Sequence, residues 1–306
     1  MTAQEIIASN TSKTKKVRAL YQLGYTYTQI AEAIGAGYGF VWVVINKRSG
    51  ANLTQVVAAF LMDYTFTRRF GIEIEAYGVP MATVVAALQA AGIQVAIGTR
   101  TANTYTQWKV TTDGSITGAE GFEVVSPILE GEDGMEQVRK VSATLVGCRA
   151  KINRSCGLHV HLDARNMGIE TWKRLYKNYI KLEGVIDSMM PESRRNNSYA
   201  RSLKLSNNIE QRIDGCRTVT QLANLYGSRY CKINAQSFTK HNTVEFRQHS
   251  GTIEVAKIEN WVRFLDGLVK YSEREVVENG QFETLNKFCQ PELINYLHTR
   301  IQSLNA

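Results

Sequence analysis

Apolar and polar residues alternate strictly through "FGIEIEAYG" (70–78). Side chains on a strand alternate faces with period two, so Phe70, Ile72 and Ile74 share one face and Glu73 and Glu75 the other. The same period predicts strands over 93–97, 105–112, 121–126, 157–163 and 242–249. Apolar positions suited to one buried helical face predict helices over 80–92, 134–148, 167–189, 217–225 and 254–275. The strands alternate rather than running continuously apolar. That favours an antiparallel sheet with one face packed on helices and the other open, an α+β arrangement.

The first 50 residues read differently. "KTKKVRALYQLGYTYTQIAEAIGAGYGFVWVVINKR" (13–48) predicts three short helices, over 13–23, 28–34 and 38–47, with Thr28 as the cap of the second. Ile30, Ile34, Val41 and Val44 fall where two helices crossing at a short turn must touch, and Ala31 is small where they approach closely. Gly35 stands at the turn, where a positive φ costs glycine little. This spacing resembles a helix-turn-helix, an all-α unit over 1–50, with 51–64 as a connecting segment. "GAGYG" (35–39) is no phosphate loop, since no strand precedes it and no Lys-Ser/Thr pair follows.

Charge sharpens that reading. The chain of 306 residues carries a net charge of +8. Residues 1–50 hold six basic groups against two acidic ones, half of that excess in a sixth of the length. A concentrated positive charge on a helical unit points to an anionic partner. Lys13, Lys15, Lys16, Arg18, Tyr38, Asn46, Lys47 and Arg48 are the candidate DNA contacts. A helical hairpin with no nucleic-acid role is the alternative. No run of about eighteen apolar residues predicts a membrane span, and the opening residues lack the pattern of a secretory signal. The five cysteines form no C-x-x-C pair, which fits a reduced cytoplasm better than a disulfide framework or zinc ribbon.

The second part carries the chemistry. "GFEVV" places Glu123 inside an apolar strand, and Asp113 and Ser115 sit at a turn just before it. "CGLHVHLDAR" (156–165) puts His159 and His161 on one strand face, and "NTVEFRQHSGT" (242–252) does the same for Glu245, Arg247 and His249. "RRNNSYARSLK" (194–204) is a polar, basic loop. Ionised side chains are almost never buried unpaired, so ionisable pairs on separate half-buried strands call for a common cause. A shared sheet face holding Glu73, Glu75, Glu123, His159, His161 and Glu245 would bind divalent cations, with Arg247 beside them for an anion.

The ordered set E-x-E, a middle Glu, H-x-H and E-x-R resembles the glutamine synthetase fold. The fuller pattern, "FGIEIE", "DGS", "EVVSP", "GLHVHLD" and "VEFRQHSGT", resembles the amidoligases, a compact branch of the carboxylate–amine ligases, over about 65–275. The resemblance implies a glutamine synthetase-like domain over 65–306 that uses ATP and Mg²⁺ or Mn²⁺ to join a carboxylate to an amine. It implies that Glu73 and Glu75 serve two different metals, that Glu123 joins one, and that His159 and Glu245 complete the other, with His161 alongside. Arg247 would hold the phosphates, with Glu245 and Arg247 the core of the catalytic set. Arg194, Arg195 and Arg201 would bind phosphate or an acidic substrate. The sequence departs from that pattern in offering only Asp113 or Glu120 as a second middle carboxylate, and in placing a helix-turn-helix at the N-terminal end. A DNA-binding regulator with a ligand-sensing domain and a metal-dependent hydrolase or nuclease are the competing readings.

Overall fold

The computed structural model describes residues 2–25, 27–36, 41, 44–45, 67–99 and 106–305. The expected connecting segment at 51–64 lies outside them, as do Tyr38, Asn46, Lys47 and Arg48. The chain divides into two units, Met1–Asp63 with Pro291–Tyr296, and Tyr64–Gln290 with Leu297–Ala306. No helix among the described residues is long and apolar enough to cross a membrane.

In the first unit α1 (Ala3–Ala8) opens with a capping box. The Thr2 side chain accepts from the Glu5 amide and the Glu5 carboxylate accepts from the Thr2 amide, which satisfies two donors that a helix start leaves free. No apolar periodicity in the sequence predicts this six-residue helix. α2 (Lys13–Gln22) and α3 (Tyr27–Ile34) follow, and Val41, Val44 and Ile45 are helical. Because α3 begins at Tyr27, Thr28 lies inside its first turn and is not the cap. Ile6, Val17, Leu20, Ile30, Ala31, Val41 and Val44 form one core, with Ile34 packed at its margin. Each fully buried aliphatic side chain of this kind contributes about 1.5–3 kcal/mol. Gly35 has φ +55°, as the turn requires.

The second unit is built on a sheet of seven strands among the described residues. They are β1 (Phe70–Ala76), β2 (Val95–Ile97), β3 (Trp108–Thr111), β4 (Phe122–Val125), β5 (Leu158–Asp163), β6 (Ile233–Asn234) and β7 (Thr243–Phe246). Their order across the sheet is β2-β3-β4-β1-β5-β7-β6. The pairs are antiparallel except β2 with β3, which are parallel. The sheet is therefore mixed, a correction to the all-antiparallel expectation. Three residues of strand carry no pattern that sets direction, and the two residues of β6 were not foreseen at all.

Helices α4 (Met81–Ala90), α5 (Gly131–Gly147), α6 (Ile169–Ser188), α7 (Glu192–Arg195), α8 (Ile209–Asp214), α9 (Val219–Tyr226), α10 (Ser237–His241), α11 (Val255–Ser272) and α12 (Pro291–Asn305) complete the described elements, with a 3₁₀ helix at Phe282–Lys287. Ile72, Ile74, Val124, Leu158, Val160 and Phe246 are fully buried on one sheet face. α11 packs against β5 and against α5 and α6, so this face is the roofed one. Trp172, Leu175, Tyr176, Tyr179, Leu182 and Ile186 recur at helical spacing along α6 and are buried there.

One local irregularity decides which side chains reach the other face. Val160 pairs with Phe246 and His161 with Glu245, but Gly157 pairs with Ser250. The second strand thus carries one extra residue after Phe246, a bulge that reverses the alternation. His249 is turned to the roofed side, where its ring lies 5.4 Å from that of Trp261. It does not share the face of Glu245 and Arg247, contrary to the sequence expectation.

Candidate active site

Strand register gathers the acidic and imidazole side chains on the face away from the helices. Glu73 pairs with His159, Glu75 with Glu123, and His161 with Glu245. Directly paired residues share a face, so four neighbouring strands place six ionisable groups on one surface. Two groups of three emerge, Glu73 with His159 and Glu245, and Glu75 with Glu123 and His159. Within each, one ligand atom per residue lies within 4.8 Å of the others. A neutral imidazole has one free lone pair, so His159 serves one group at a time. Its Nδ1 lies 2.9 Å from Glu73 and 4.0 Å from Glu245, while Nε2 is 3.7 Å from Glu75. His161 stands outside both groups. Its Nδ1 is 2.9 Å from Thr243 Oγ1, and its Nε2 is 3.3 Å from Glu73.

The surroundings hold these groups in place. Glu75 accepts from the Gly157 amide at 2.6 Å. A side chain at Gly157 would bring its Cβ to 3.0 Å from His159 Nε2 and 3.1 Å from Arg194 Nη2, so this position is close to filled by the site itself. Glu245 accepts from Asn234 Nδ2 at 2.6 Å and pairs with the Arg247 guanidinium. Arg247 is fixed through its backbone as well: its amide donates to Lys232 O and its carbonyl accepts from Arg194 Nη2. Asn234 and Gly157 were missed in the sequence: Asn234 lies on no predicted strand, and Gly157, at the start of the strand predicted over 157–163, contributes only its backbone amide.

The three arginines expected on one basic loop separate. Arg194 lies in the short helix α7, is buried, and donates to the carbonyls of Arg247 and Gln248. Two of its guanidinium nitrogens are thereby tied to backbone carbonyls beside the site. Arg195 donates to Met190 O, and Arg201 is exposed beside Tyr230. Of the two candidates for a further carboxylate, Glu120 is exposed with φ +55°. Asp113 is half-buried, accepts from the Ser115 amide and hydroxyl, and acts electrostatically on both Glu75 and Glu123.

Electrostatics test whether this donor set fits a cation. Burial, followed by the charges of Glu73, Glu75 and Asp113, pushes the Glu123 carboxyl well above the usual carboxylate range. Burial also raises Glu73, but hydrogen bonds from His159 and His161 outweigh it and hold that carboxyl well below the usual range. Burial likewise lifts Glu75 in spite of His159 and the Gly157 amide. Carboxylates crowded in this way need either a proton or a cation between them, and carboxylate oxygens with an imidazole suit Mg²⁺ or Mn²⁺.

Glu123 keeps its proton when folded but ionises near pH 4.5 in an ordinary environment. The folded chain then holds the extra proton, so stability falls as pH rises from that point towards the folded value. Glu123→Gln keeps a donor facing Glu73 and removes this penalty. The variant should melt above the parent, by a gap that widens from about pH 4.5 towards neutrality, and excess Mn²⁺ should close or reverse the gap. Thermal unfolding across pH, with and without the ion, checks it.

A cavity of about 510 Å³ opens on the same face, beside Glu73, Glu123 and His161. Arg69, Lys109, Arg165 and Lys240 contribute positive charge to its lining. It lies where β1 begins, β5 ends and β7 begins, whereas Arg247 stands at the other end of the face. The family model described as "putative amidoligase enzyme" matches residues 66–269. The chain belongs to this amidoligase family. The match spans β1 to most of α11, and so takes in every strand among the described residues and every residue of both donor groups. No curated protein matches the chain. Membership of this family suggests an ATP-dependent ligase activity.

Proposed function

We propose that the chain is an ATP- and Mg²⁺-dependent ligase that joins a carboxylate to an amine through an acyl phosphate. The observation that carries this reading is the pair of donor groups on one sheet face, with a forked cation at one end and a basic cavity at the other. Divalent ions held by Glu73, His159 and Glu245 and by Glu75 and Glu123 would neutralise phosphate oxygens during transfer. The cavity, about 510 Å³, is within the range that encloses ligands of nucleotide size. Arg69, Lys109, Arg165 and Lys240 suit the polyphosphate of ATP. Arg247 grips two oxygens of the phosphoryl group in transfer, because its guanidinium is a planar fork. A carboxylate oxygen of the acid attacks the terminal phosphorus and ADP leaves. The amine then attacks the acyl carbon, phosphate departs, and the amine proton passes to solvent. The test is ADP release from ATP and Mg²⁺ over a panel of acids with amino acids and polyamines, with mass spectrometry of the product. Release that needs acid and amine together supports the reading, and release that needs neither overturns it in favour of hydrolysis.

We also propose that the N-terminal unit binds DNA and brings the ligase to a DNA-bound substrate. The support is one core shared by α2, α3 and the helical residues Val41 and Val44, with basic groups outside it. The described cations are not equivalent. Lys13 and Lys16 donate to the carbonyls of Gly35 and Ile7, whereas Lys15 and Arg18 are exposed and form no ion pair or hydrogen bond with another described residue. Each phosphate contact adds about 0.9 to the salt slope of duplex binding. Lys15→Ala with Arg18→Ala in the full chain should lower that slope by about 2. An unchanged slope would make the unit a protein-docking element.

A further inference from the structure

Arg247 stands on the bulge, where a strand loses its regular ladder partners. Consecutive side chains of an even strand point to opposite faces, yet Gln248 and His249 both meet helix side chains. Other groups must hold such a segment. The β6–β7 pairing ends at Ile233 and Phe246. Beyond it the Arg247 amide donates to Lys232 O at 3.0 Å, and Arg194 donates to the carbonyls of both Arg247 and Gln248.

Side chains continue this support into α6. Tyr179, Glu183 and Asp187 recur there at every fourth position, so they share one helical face. The Tyr179 hydroxyl donates to Gln248 Oε1 at 2.6 Å, and Gln248 Nε2 donates to Asp187 Oδ1. Lys232 Nζ donates to the same Asp187 oxygen and to Glu183 Oε1 at 2.7 Å. Gln248 and Lys232 are fully buried, and both ends of the Gln248 amide are used. Burial, followed by the charges of Glu183 and Asp187, pushes the Tyr179 hydroxyl well above its usual range, so it keeps its proton and stays a donor.

Lys232 therefore grips Arg247 from two directions, through its own carbonyl and, by way of Asp187, through Gln248. Apolar side chains of the same volume often hold buried elements together equally well. A network of directed bonds adds something that apolar packing lacks, a single setting of the bulge. That setting fixes the course of Arg247, whose guanidinium pairs with Glu245 and lies 5.6 Å from the Tyr230 ring.

We infer that Tyr179, Glu183, Asp187, Lys232 and Gln248 are positioning residues that aim the Arg247 fork at the phosphoryl group. The inference rests on the ligase reading above, which gives Arg247 that group to hold. The five act through Arg247, leaving it little to reorganise as charge develops on the transferred group.

The probe reaction is ADP release from ATP and Mg²⁺, with hydroxylamine as the amine and the acid of the panel above that gives the fastest release. The full-length parent is compared with Tyr179→Phe plus Gln248→Met, with Arg247→Lys, and with all three changes together. Tyr179→Phe plus Gln248→Met removes both partners of one hydrogen bond with little loss of volume, and leaves Asp187 and Glu183 paired with Lys232. The melting temperature should stay close to the parent's. The kcat of this variant should fall about tenfold with little change in the KM of ATP. In the Arg247→Lys background the fork is already gone, and the same two changes should lower kcat by less than about twofold. A parental kcat, a change confined to the KM of ATP, or the same loss in both backgrounds overturns the positioning role. If the paired change does not fold, Tyr179→Phe alone gives the comparison, with about a threefold loss expected in the parent and none in the Arg247→Lys background. ADP release that needs no acid overturns the ligase reading and still compares the four proteins, so the two failures stay distinct. No ADP release under any condition overturns both.

Discussion

Glu245→Gln should reduce ADP formation about a thousandfold while the chain stays folded. The substitution keeps one acceptor oxygen and turns the other into an amide nitrogen, so of Asn234 Nδ2 and the Arg247 guanidinium, which donate to Oε2 and Oε1 respectively, only one loses its acceptor. It removes the negative charge that Glu73, His159 and Glu245 together offer to a cation. A lost charge contribution of about 4 kcal/mol at the transition state corresponds to roughly that thousandfold. Alanine would be a poorer probe, because it would strand a buried guanidinium and amide and mix a folding defect with a catalytic one. Calorimetric titration with Mn²⁺ and thermal unfolding separate the two effects. Weakened ion binding with a melting temperature close to the parent's is the expected outcome, and parental ion affinity would remove Glu245 from the donor set.

Arg247→Lys should lower kcat by about a hundredfold with little change in the KM of ATP. Lysine keeps the charge and loses the fork that holds two oxygens at once. The position is well suited to such a role. Its backbone is clamped by Lys232 O and Arg194, and its side chain lies between Glu245 and the Tyr230 ring. A donor fixed in this way has little to reorganise when charge develops on the transferred group. Steady-state kinetics of the pair decide it: turnover equal to the parent's would refute the assigned role, and a rise in KM alone would make Arg247 a ground-state binder.

Much of this site was legible because strand alternation is strict. Phe70 to Ala76 forms the expected strand, and its period alone separates Ile72 and Ile74 from Glu73 and Glu75. The same logic joins His159 to His161, which pairing sets beside Glu73 and Glu245, while Glu123 faces Glu75. What the sequence hid depends on pairing over long separations. The parallel run of β2 on β3, the two-residue β6 that brings Asn234 to Glu245, and the bulge that turns His249 away have no local pattern. Arg194 was misread for a related reason. Its neighbours Arg195, Asn196 and Asn197 suggest a solvated loop, yet its guanidinium is drawn inward by two backbone carbonyls near the end of β7. The cavity is assembled from Arg69, Lys109, Arg165 and Lys240, far apart in the chain and unremarkable one by one. The electrostatic conflict at Glu123 likewise becomes visible only once Glu73, Glu75 and Asp113 are brought around it.

The proposed ligase reaction depends on ATP activating a carboxylate as an acyl phosphate over this sheet face. Isotope tracing tests it most directly. The acid that gives the fastest ADP release would be labelled with ¹⁸O in its reacting carboxylate, and the inorganic phosphate formed in unlabelled water analysed by mass spectrometry. One ¹⁸O per phosphate is expected, because the attacking oxygen stays on phosphorus when the amine displaces it. Phosphate carrying no ¹⁸O would contradict it, and would mean that water, not the carboxylate, receives the phosphoryl group.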